Sequence, residues 1–373
     1  MVRDDRCPRV PGPWPSRGLA LVLSLAILGA LVSQVPFGEL VASLRSVGRW
    51  PVIGTVLVAL AEGLALELDK LRRILRHLGC PLSLRDVGAM ALPAVALGAL
   101  APAQAEEVWK ARQVQVRIGC PFGEALGIVA FDRGINLVSH LVLIAGGTGA
   151  SWLGHGSLGT LAAALSLAFI AGIGGITLAA RIAALGPLQR HAGILAFTGA
   201  LRRTSPGFRA GMLAYACLAN LALTGALWWM GRAAGVAWPL ASAMAWRAGS
   251  VLLSKIPVSL GGLGVREGVL VAGLAQWTSS PVAVAVGLAF GLITAWVPPV
   301  FALSFQSWFR ESMVRMMWDL RQGWRFVRRG RPGGSDGARA AGTSGGRDSG
   351  TGSPSDSPAD AQDDGPQHSR QSQ

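Results

Sequence analysis

The chain has 373 residues, of which 51% are hydrophobic and only 14% charged, and 50 are glycine. With a mean hydropathy of +0.44, this composition excludes an ordinary soluble globular protein and indicates a polytopic membrane protein, whose small residues let helices approach closely. The net charge of +14 would suggest nucleic acid in a soluble protein, but here the arginines gather at the ends of apolar runs, which is typical of membrane orientation and attraction to anionic lipid.

Two predicted spans open the chain. Residues 1–18 are arginine-rich and are predicted to be cytoplasmic, and residues 19–35 form the first span. A cleaved signal peptide is the alternative, but the apolar run is long for one and no clean A-x-A site follows it. Residues 36–50 are expected to form an outer loop. Residues 51–68 form the second span, whose basic far end fixes it in the cytoplasm, and Glu62 lies deep enough on it to be a candidate cavity residue.

The next apolar segment, residues 87–101, is interrupted and short. It falls below the ~20 residues that a crossing helix needs. Both of its flanks are positively charged, so a re-entrant hairpin that enters from the cytoplasm is the simplest interpretation. Pro102, Glu107 and Lys110 follow the run directly.

A third full span is predicted over residues 125–144, and it carries Asp132 and Arg133. Charged residues in an apolar helix cost about 2.5–3.5 kcal/mol each on insertion scales. The pair should therefore face the bundle interior or a wet groove. The alternative is a span that starts near Ile135 and leaves both charges at the membrane interface.

The second half of the chain follows the same order as the first. An outer loop is expected at 146–156, the fourth span at 158–180 and an inner loop at 181–209. The later elements are a fifth span at 210–230, two half-length helices at 238–253 and 265–277, and a last span at 281–305. The charges thus predict an all-α protein with six full spans plus two re-entrant or broken elements and both termini inside. An odd number of crossings per half inverts the second half (about 158–305) relative to the first (about 19–147), as in many transporters.

The C-terminal region is predicted in two parts beyond a transmembrane domain of residues 19–309. Residues 310–329 are basic, with apolar residues at helical spacing, and indicate an amphipathic helix on the inner leaflet; a solvated stop-transfer segment is the alternative. Residues 330–373 contain no aromatic residue and no Leu, Ile, Val or Met. Such a segment cannot bury a core and is predicted to be a disordered cytoplasmic tail.

The chemically most distinctive stretch is residues 255–268, which combines a helix breaker, a glycine run and a charge pair. Pro257 has no N–H to donate, so the helix before it should end there. The glycines permit backbone conformations closed to other residues. A helix that begins near Val265 would turn its free N–H groups and Arg266 towards an anion such as phosphate. A solvated loop is the alternative, whereas a dinucleotide-binding loop is excluded because the glycine spacing is one residue too long.

This stretch resembles the signature Pro-x-Ser-x-Gly-Gly-x-Gly-x-Arg-Glu-Gly of the lysylphosphatidylglycerol synthase-type transmembrane, flippase-like family. The likeness in layout extends from about residue 19 to 309, and a second family signature is matched loosely after residue 101, where alanine and glutamine replace its glycines. The family often has an acidic residue and an arginine where Asp132 and Arg133 lie. The matching positions of the main signature are Pro257, Ser259, Gly261, Gly262, Gly264, Arg266, Glu267 and Gly268, and those of the second are Pro102, Glu107 and Lys110.

The resemblance implies a multi-pass inner-membrane protein that moves lipid head groups; the soluble aminoacyl transferase domain of some members is not expected here. Arg266 would hold the head-group phosphate, with Glu267 orienting it. The alternatives are a membrane transferase that acts on a lipid-linked acceptor and a non-catalytic scaffold. The expected partners are anionic lipid head groups and enzymes of lipid synthesis, not nucleic acid, and no cofactor, metal or catalytic residue is predicted. The expected groove is lined by Lys255, Ser259, Arg266 and Glu267 on one side and Glu107, Lys110, Asp132 and Arg133 on the other.

Overall fold

The computed structural model describes residues 17–33, 35–100, 105–153, 158–182, 192–255 and 262–305, and every regular element within these ranges is helical. The predicted all-α class is therefore confirmed. Several predicted features lie outside the described residues, namely Pro102, Pro257, Ser259, Gly261, the basic segment 310–329 and the tail 330–373.

The chain begins with a bent pair of helices, α1 (Arg17–Ser33) and α2 (Phe37–Ser46). The axis turns by 88° between them, next to Pro36, which lacks the N–H that a continuous helix would need. The prediction of an outer loop over residues 36–50 is therefore wrong, because α2 occupies most of it. Glu39, Arg45 and Ser46 of α2 are exposed, whereas Leu40 and Ser43 are buried.

The second span is one continuous helix of 29 residues, Arg49–His77, with an irregular turn at its centre. It consists of α3 (Arg49–Leu60), a π-helical turn (Ala61–Leu66) and α4 (Glu67–His77). The π-helical turn carries Glu62. Turns of this kind insert an extra residue into a helix and are frequent at functional sites.

The broken element of the first half is a pair of helices, α5 (Leu84–Leu100) and α6 (Ala105–Ile118), that pack against each other. At 1.5 Å per residue, the 17 residues of α5 span about 25 Å, which is shorter than the hydrocarbon core of a bilayer. The helix that follows, α7 (Phe122–Trp152), is 31 residues long. It extends through most of residues 146–156, so the predicted outer loop there is also wrong.

The second half contains α8 (Leu158–Ile182), α9 (Ala192–Arg203) and α10 (Pro206–Ala233). The inner loop predicted over residues 181–209 is wrong in part, because α9 lies within it. A second pair of helices, α11 (Leu240–Leu253) and α12 (Val265–Leu274), matches the predicted half-length helices on either side of the glycine run. The last helix is α13 (Ser280–Ser304).

Within the described ranges, five helices are long and apolar enough to cross a membrane, and α1 with α2 adds a sixth if the bent pair is one span. This agrees with the predicted number of full spans. The five are Arg49–His77, Phe122–Trp152, Gly159–Ala179, Pro206–Ala233 and Ser280–Ser304.

Helices pack by the same scheme in both halves. The helices α2, α3, α5, α6 and α7 of the first half correspond in order to α9, α10, α11, α12 and α13 of the second. Under this correspondence, the α6–α7 contact has its counterpart in α12–α13, α2–α13 in α9–α7, and α5–α13 in α11–α7. Each helix pair therefore lies against the last span of the other half. The space between the pairs is walled by both halves, as in transporters with internal repeats.

The crossing of α7 and α11 depends on a glycine. A Cβ on Gly147 would lie 2.5 Å from the carbonyl oxygen of Ala241 and 3.0 Å from the amide nitrogen of Ala245. Both of these atoms belong to the backbone of α11 and cannot move aside as a side chain can. Gly147 therefore permits the close approach of two helices that also form part of the site.

Candidate functional site

A cavity of about 650 Å³ lies among the helices of both halves. Its volume is within the range of roughly 300–1,000 Å³ that small-molecule sites occupy. Apolar groups such as Leu137, Leu223 and Phe290 form part of the wall. The rest is unusually polar for the interior of an apolar bundle, since its charged members are Glu62, Glu67, Glu107, Arg133, Arg247, Lys255 and Arg266.

One wall of the cavity is supported by an ion cluster around Lys70 of α4. Its Nζ lies 2.9 Å from Oε1 of Glu67 and 3.1 Å from Oδ1 of Asp132, and it donates a hydrogen bond of 2.7 Å to Oδ1 of Asn136. Asn136 in turn donates to Glu67 at 3.1 Å. Lys70 and Asp132 are each 2% exposed, so Asp132 lies in the bundle interior. The cluster joins α4 to α7 behind the cavity wall.

A second ion cluster joins α6 to α7 around Arg133. Its guanidinium contacts Glu106, and its Nε lies 3.2 Å from Oε1 of Glu107. Lys110 approaches the same Glu106 carboxylate at 2.6 Å. Within the cluster, Glu107 and Arg133 border the cavity, whereas Lys110 is buried behind them. Charges buried together in this way are neutralised by one another, as intramembrane charges generally are.

The start of α12 is held by Glu267. Gly264 precedes the helix with φ of 84°, a backbone conformation that favours glycine, and its N–H donates a 2.7 Å hydrogen bond to Oε2 of Glu267. The other carboxylate oxygen accepts from Arg266 Nη2 at 2.9 Å, and the same Nη2 donates to the carbonyl of Gly291 at 2.6 Å. Glu267 is fully buried. Arg266 therefore fastens α12 to α13 as well as bordering the cavity.

A third cation on the wall, Arg247 of α11, has different partners. Its Nη1 donates to the carbonyl oxygen of Asn220 at 3.2 Å and to Oδ1 of Asn220 at 2.9 Å. The Asn220 amide donates in turn to Ser139 Oγ at 2.9 Å and to the carbonyl of Ala216 at 3.1 Å. Arg247 is only 4% exposed. These bonds join α7, α10 and α11 beside the cavity.

The predicted site residues fall into four groups. Glu107, Arg133, Lys255 and Arg266 line the cavity, so the structure brings both sequence signatures to one space. Lys110, Asp132 and Glu267 support that wall from behind. Gly262 and Gly264 have φ of 80° and 84°, which confirms the backbone conformation predicted for them, and the remainder of the predicted set, Pro102, Pro257, Ser259 and Gly261, lies outside the described residues.

Other cavity residues did not belong to the predicted site. Glu62 was recognised by its depth, but Asn136, His140, Asn220 and Arg247 were not. Arg247 could have been found, because it is a lone charge in an otherwise apolar helix and intramembrane charges usually mark functional sites. The two asparagines carry no such signal, since their role depends on contacts between helices distant in the chain. Among the described residues, no three His, Cys, Asp or Glu side chains gather as metal ligands do.

Long apolar helices around a charged internal cavity define a multi-pass helical membrane protein with a polar site inside its bundle. The chain belongs to the family of the lysylphosphatidylglycerol synthase TM region, whose family model matches residues 18–302. Membership implies a membrane protein involved in lipid metabolism. Comparison with curated proteins finds no match.

Proposed function

We propose that this protein translocates the head groups of phospholipids or of lipid-linked glycans across the membrane. The observation that supports this function best is a cavity of head-group size, lined by charges of both signs, within an apolar bundle. A head group that leaves water for the membrane interior needs polar partners to replace its hydration. Acyl chains need none, because they stay in hydrocarbon throughout.

The position of Leu137 supports a lateral route for the acyl chains. Leu137 lines the cavity, and 50% of its surface is accessible. We propose that the cavity opens to the lipid-facing surface of the bundle at this residue. A lipid could place its head group inside while its chains remain outside, and no chain would have to cross the charged interior.

The proposed orientation has both termini on the cytoplasmic side of the cell membrane. Arg76 and His77 lie in the last turn of α4, and Arg202 and Arg203 in the last turn of α9. Positive residues at helix ends of this kind favour the cytoplasmic side. The lipids and their biosynthetic enzymes remain the proposed partners.

The alternative of a membrane transferase receives less support. Glu106 and Glu107 both contact Arg133, Asp132 contacts Lys70, and Glu267 contacts Arg266. A carboxylate that is paired with a cation is poorly suited to take up a proton as a general base. Translocation requires no such step.

The experiment that tests the proposal is head-group translocation in liposomes. Purified protein is reconstituted with fluorescent phospholipids, and a membrane-impermeant quencher reports the fraction of label that reaches the outer leaflet. We expect translocation above that of protein-free liposomes. Val251→Trp, at a position on the cavity wall, should fill part of the cavity and abolish translocation. Leu218→Trp, at a position 68% exposed on α10, should not. Equal rates with and without protein would refute the proposal.

A further inference from the structure

Arg247 differs from the paired cations in and around the cavity by lacking a carboxylate partner. Lys70, Lys110, Arg133 and Arg266 each form an ion pair with an acidic side chain. Arg247 forms none with any described residue, although it is 4% exposed. Lys255 likewise has no ion pair within the described ranges, but it is exposed at the end of α11. Arg247 is therefore the buried cavity cation whose charge is not neutralised by direct contact.

The hydrogen bonds of Arg247 leave one edge of its guanidinium unpaired. Asn220 engages Nη1 alone, through two oxygens. Nε is buried and has no hydrogen-bond partner among the described residues, and Nη2 forms no hydrogen bond with them. Nε–H and Nη2–H point in parallel along the side-on edge of a guanidinium, which is the edge that binds two oxygens of a phosphate or carboxylate.

The charges around Arg247 do not pair with it directly. Glu62 and Arg266 act on it through space. Glu62, on the π-helical turn, is not within ion-pair distance, and Arg266 is already held by Glu267 and Gly291. A guanidinium buried without a counterion is costly in a low-dielectric interior. An anion that enters the cavity would remove that cost.

We infer that Arg247 is the residue that binds the phosphate of the translocated head group, and that Arg266 positions α12 against α13. The inference rests on the proposed function for its lipid, whereas the anion site itself does not. Asn220 fixes the guanidinium by holding Nη1, because Ser139 and the carbonyl of Ala216 hold Asn220 in turn. The free edge is thereby oriented before the ligand arrives, which lowers the cost of binding.

The phosphate belongs to a lipid, because the cavity offers apolar surface beside the cation. Leu137, Leu223 and Phe290 line the same space, and a glycerolipid would contact them while free phosphate would not. A short-chain phosphatidylglycerol should therefore bind more tightly than inorganic phosphate. Both should depend on Arg247.

The test measures binding of these two probes to the full chain in detergent. Arg247→Gln should weaken the short-chain phosphatidylglycerol by about tenfold or more, the effect expected for loss of charge-assisted hydrogen bonds. Arg247→Lys keeps the charge but not the two-oxygen geometry, and should be intermediate. The matched control is Arg232→Gln, an exposed arginine that lies over the Trp228 ring, and it should bind as the unmodified protein does.

Thermal unfolding distinguishes a binding role from a structural one. Without probe, Arg247→Gln should unfold at the same or a higher temperature, because it removes an uncompensated buried charge. With probe, the unmodified protein should gain thermal stability and the variant should not. If Arg247→Gln fails to fold, Arg247→Lys carries the binding test.

Two results would overturn the inference. Arg247→Gln or, where it fails to fold, Arg247→Lys could bind the lipid probe as tightly as the Arg232→Gln control, or inorganic phosphate could bind as tightly as the lipid probe. In either case, translocation by the unmodified protein would still support the proposed function. Conversely, Arg247-dependent binding without any translocation would retain the anion site and refute the transport proposal.

Discussion

Glu267→Gln tests whether the hydrogen bonds of the Glu267 carboxylate fix the start of α12. The substitution keeps the shape of the side chain but replaces one carboxylate oxygen with an NH₂ group that cannot accept a hydrogen bond. In the native arrangement, one oxygen accepts from the Gly264 N–H at 2.7 Å and the other from Arg266 at 2.9 Å. The glutamine oxygen can accept from only one of these donors, so the other donor loses its hydrogen bond to residue 267.

The loss of stability expected for Glu267→Gln follows from the burial of these groups. Glu267 is fully buried, and 14% of the Arg266 side chain is exposed. Loss of one hydrogen bond to a charged group is worth about 1.5–3 kcal/mol. For a domain of this size, each kcal/mol corresponds to roughly 2 °C or somewhat more in melting temperature. We therefore expect Glu267→Gln to lower the melting temperature by roughly 5 °C.

The assay is tryptophan-fluorescence unfolding of the purified protein, with Glu39→Gln on the exposed surface of α2 as the matched control. The double variant Arg266→Gln with Glu267→Gln should lose less than the sum of the single variants, by about 0.5–3 kcal/mol, because the two residues contact each other. A Glu267→Gln protein as stable as Glu39→Gln would show that Glu267 does not fix the start of α12. Strict additivity in the double variant would show that Glu267 and Arg266 do not act together.

Two further substitutions test the packing that forms the cavity wall. Lys70→Met should reduce the free energy of unfolding by about 3–5 kcal/mol, because it leaves the buried Asp132 without its cation; chemical unfolding measures this, and a loss below 1 kcal/mol would contradict the cluster. Gly147→Ala should destabilise by about 1–3 kcal/mol, because its Cβ would meet the α11 backbone. Gly149→Ala on the same helix is the control, since its Cβ would make an ordinary contact at 3.6 Å, and equal effects at both positions would show that the crossing does not need glycine.

The sequence predicted the architecture well where the signal is local. Runs of apolar residues and their basic ends gave the long helices, and Pro257 with its glycines indicated the break between α11 and α12. The loops were predicted less well. Residues 37–46, 146–152 and 192–203 are helical, although they were predicted to belong to loops between spans. Whether such a segment forms a helix depends on the neighbours it packs against, and these contacts are not local.

The candidate site was predicted in part for the same reason. Arg266 and Glu267 were recognised by a motif, and the structure places them beside each other and next to the cavity. Their motif could not indicate that the carbonyl of Gly291 in α13, 25 residues further along the chain, accepts a hydrogen bond from Arg266. Arg247 was overlooked because it belongs to no motif. Its proposed role depends on the lack of an acidic side chain within ion-pair distance among the described residues, and only the fold shows this.

The most direct test of the account is to determine where a lipid head group lies during translocation. Two photoreactive phospholipids are added to the reconstituted protein, one with the reactive group on the head group and one with it at the end of an acyl chain, and labelled residues are identified by mass spectrometry. The account predicts head-group labelling at the cavity residues Val251 and Phe290. Acyl-chain labelling should occur at the exposed Leu218 and Leu167. Head-group labelling confined to the exposed residues would contradict passage through the cavity.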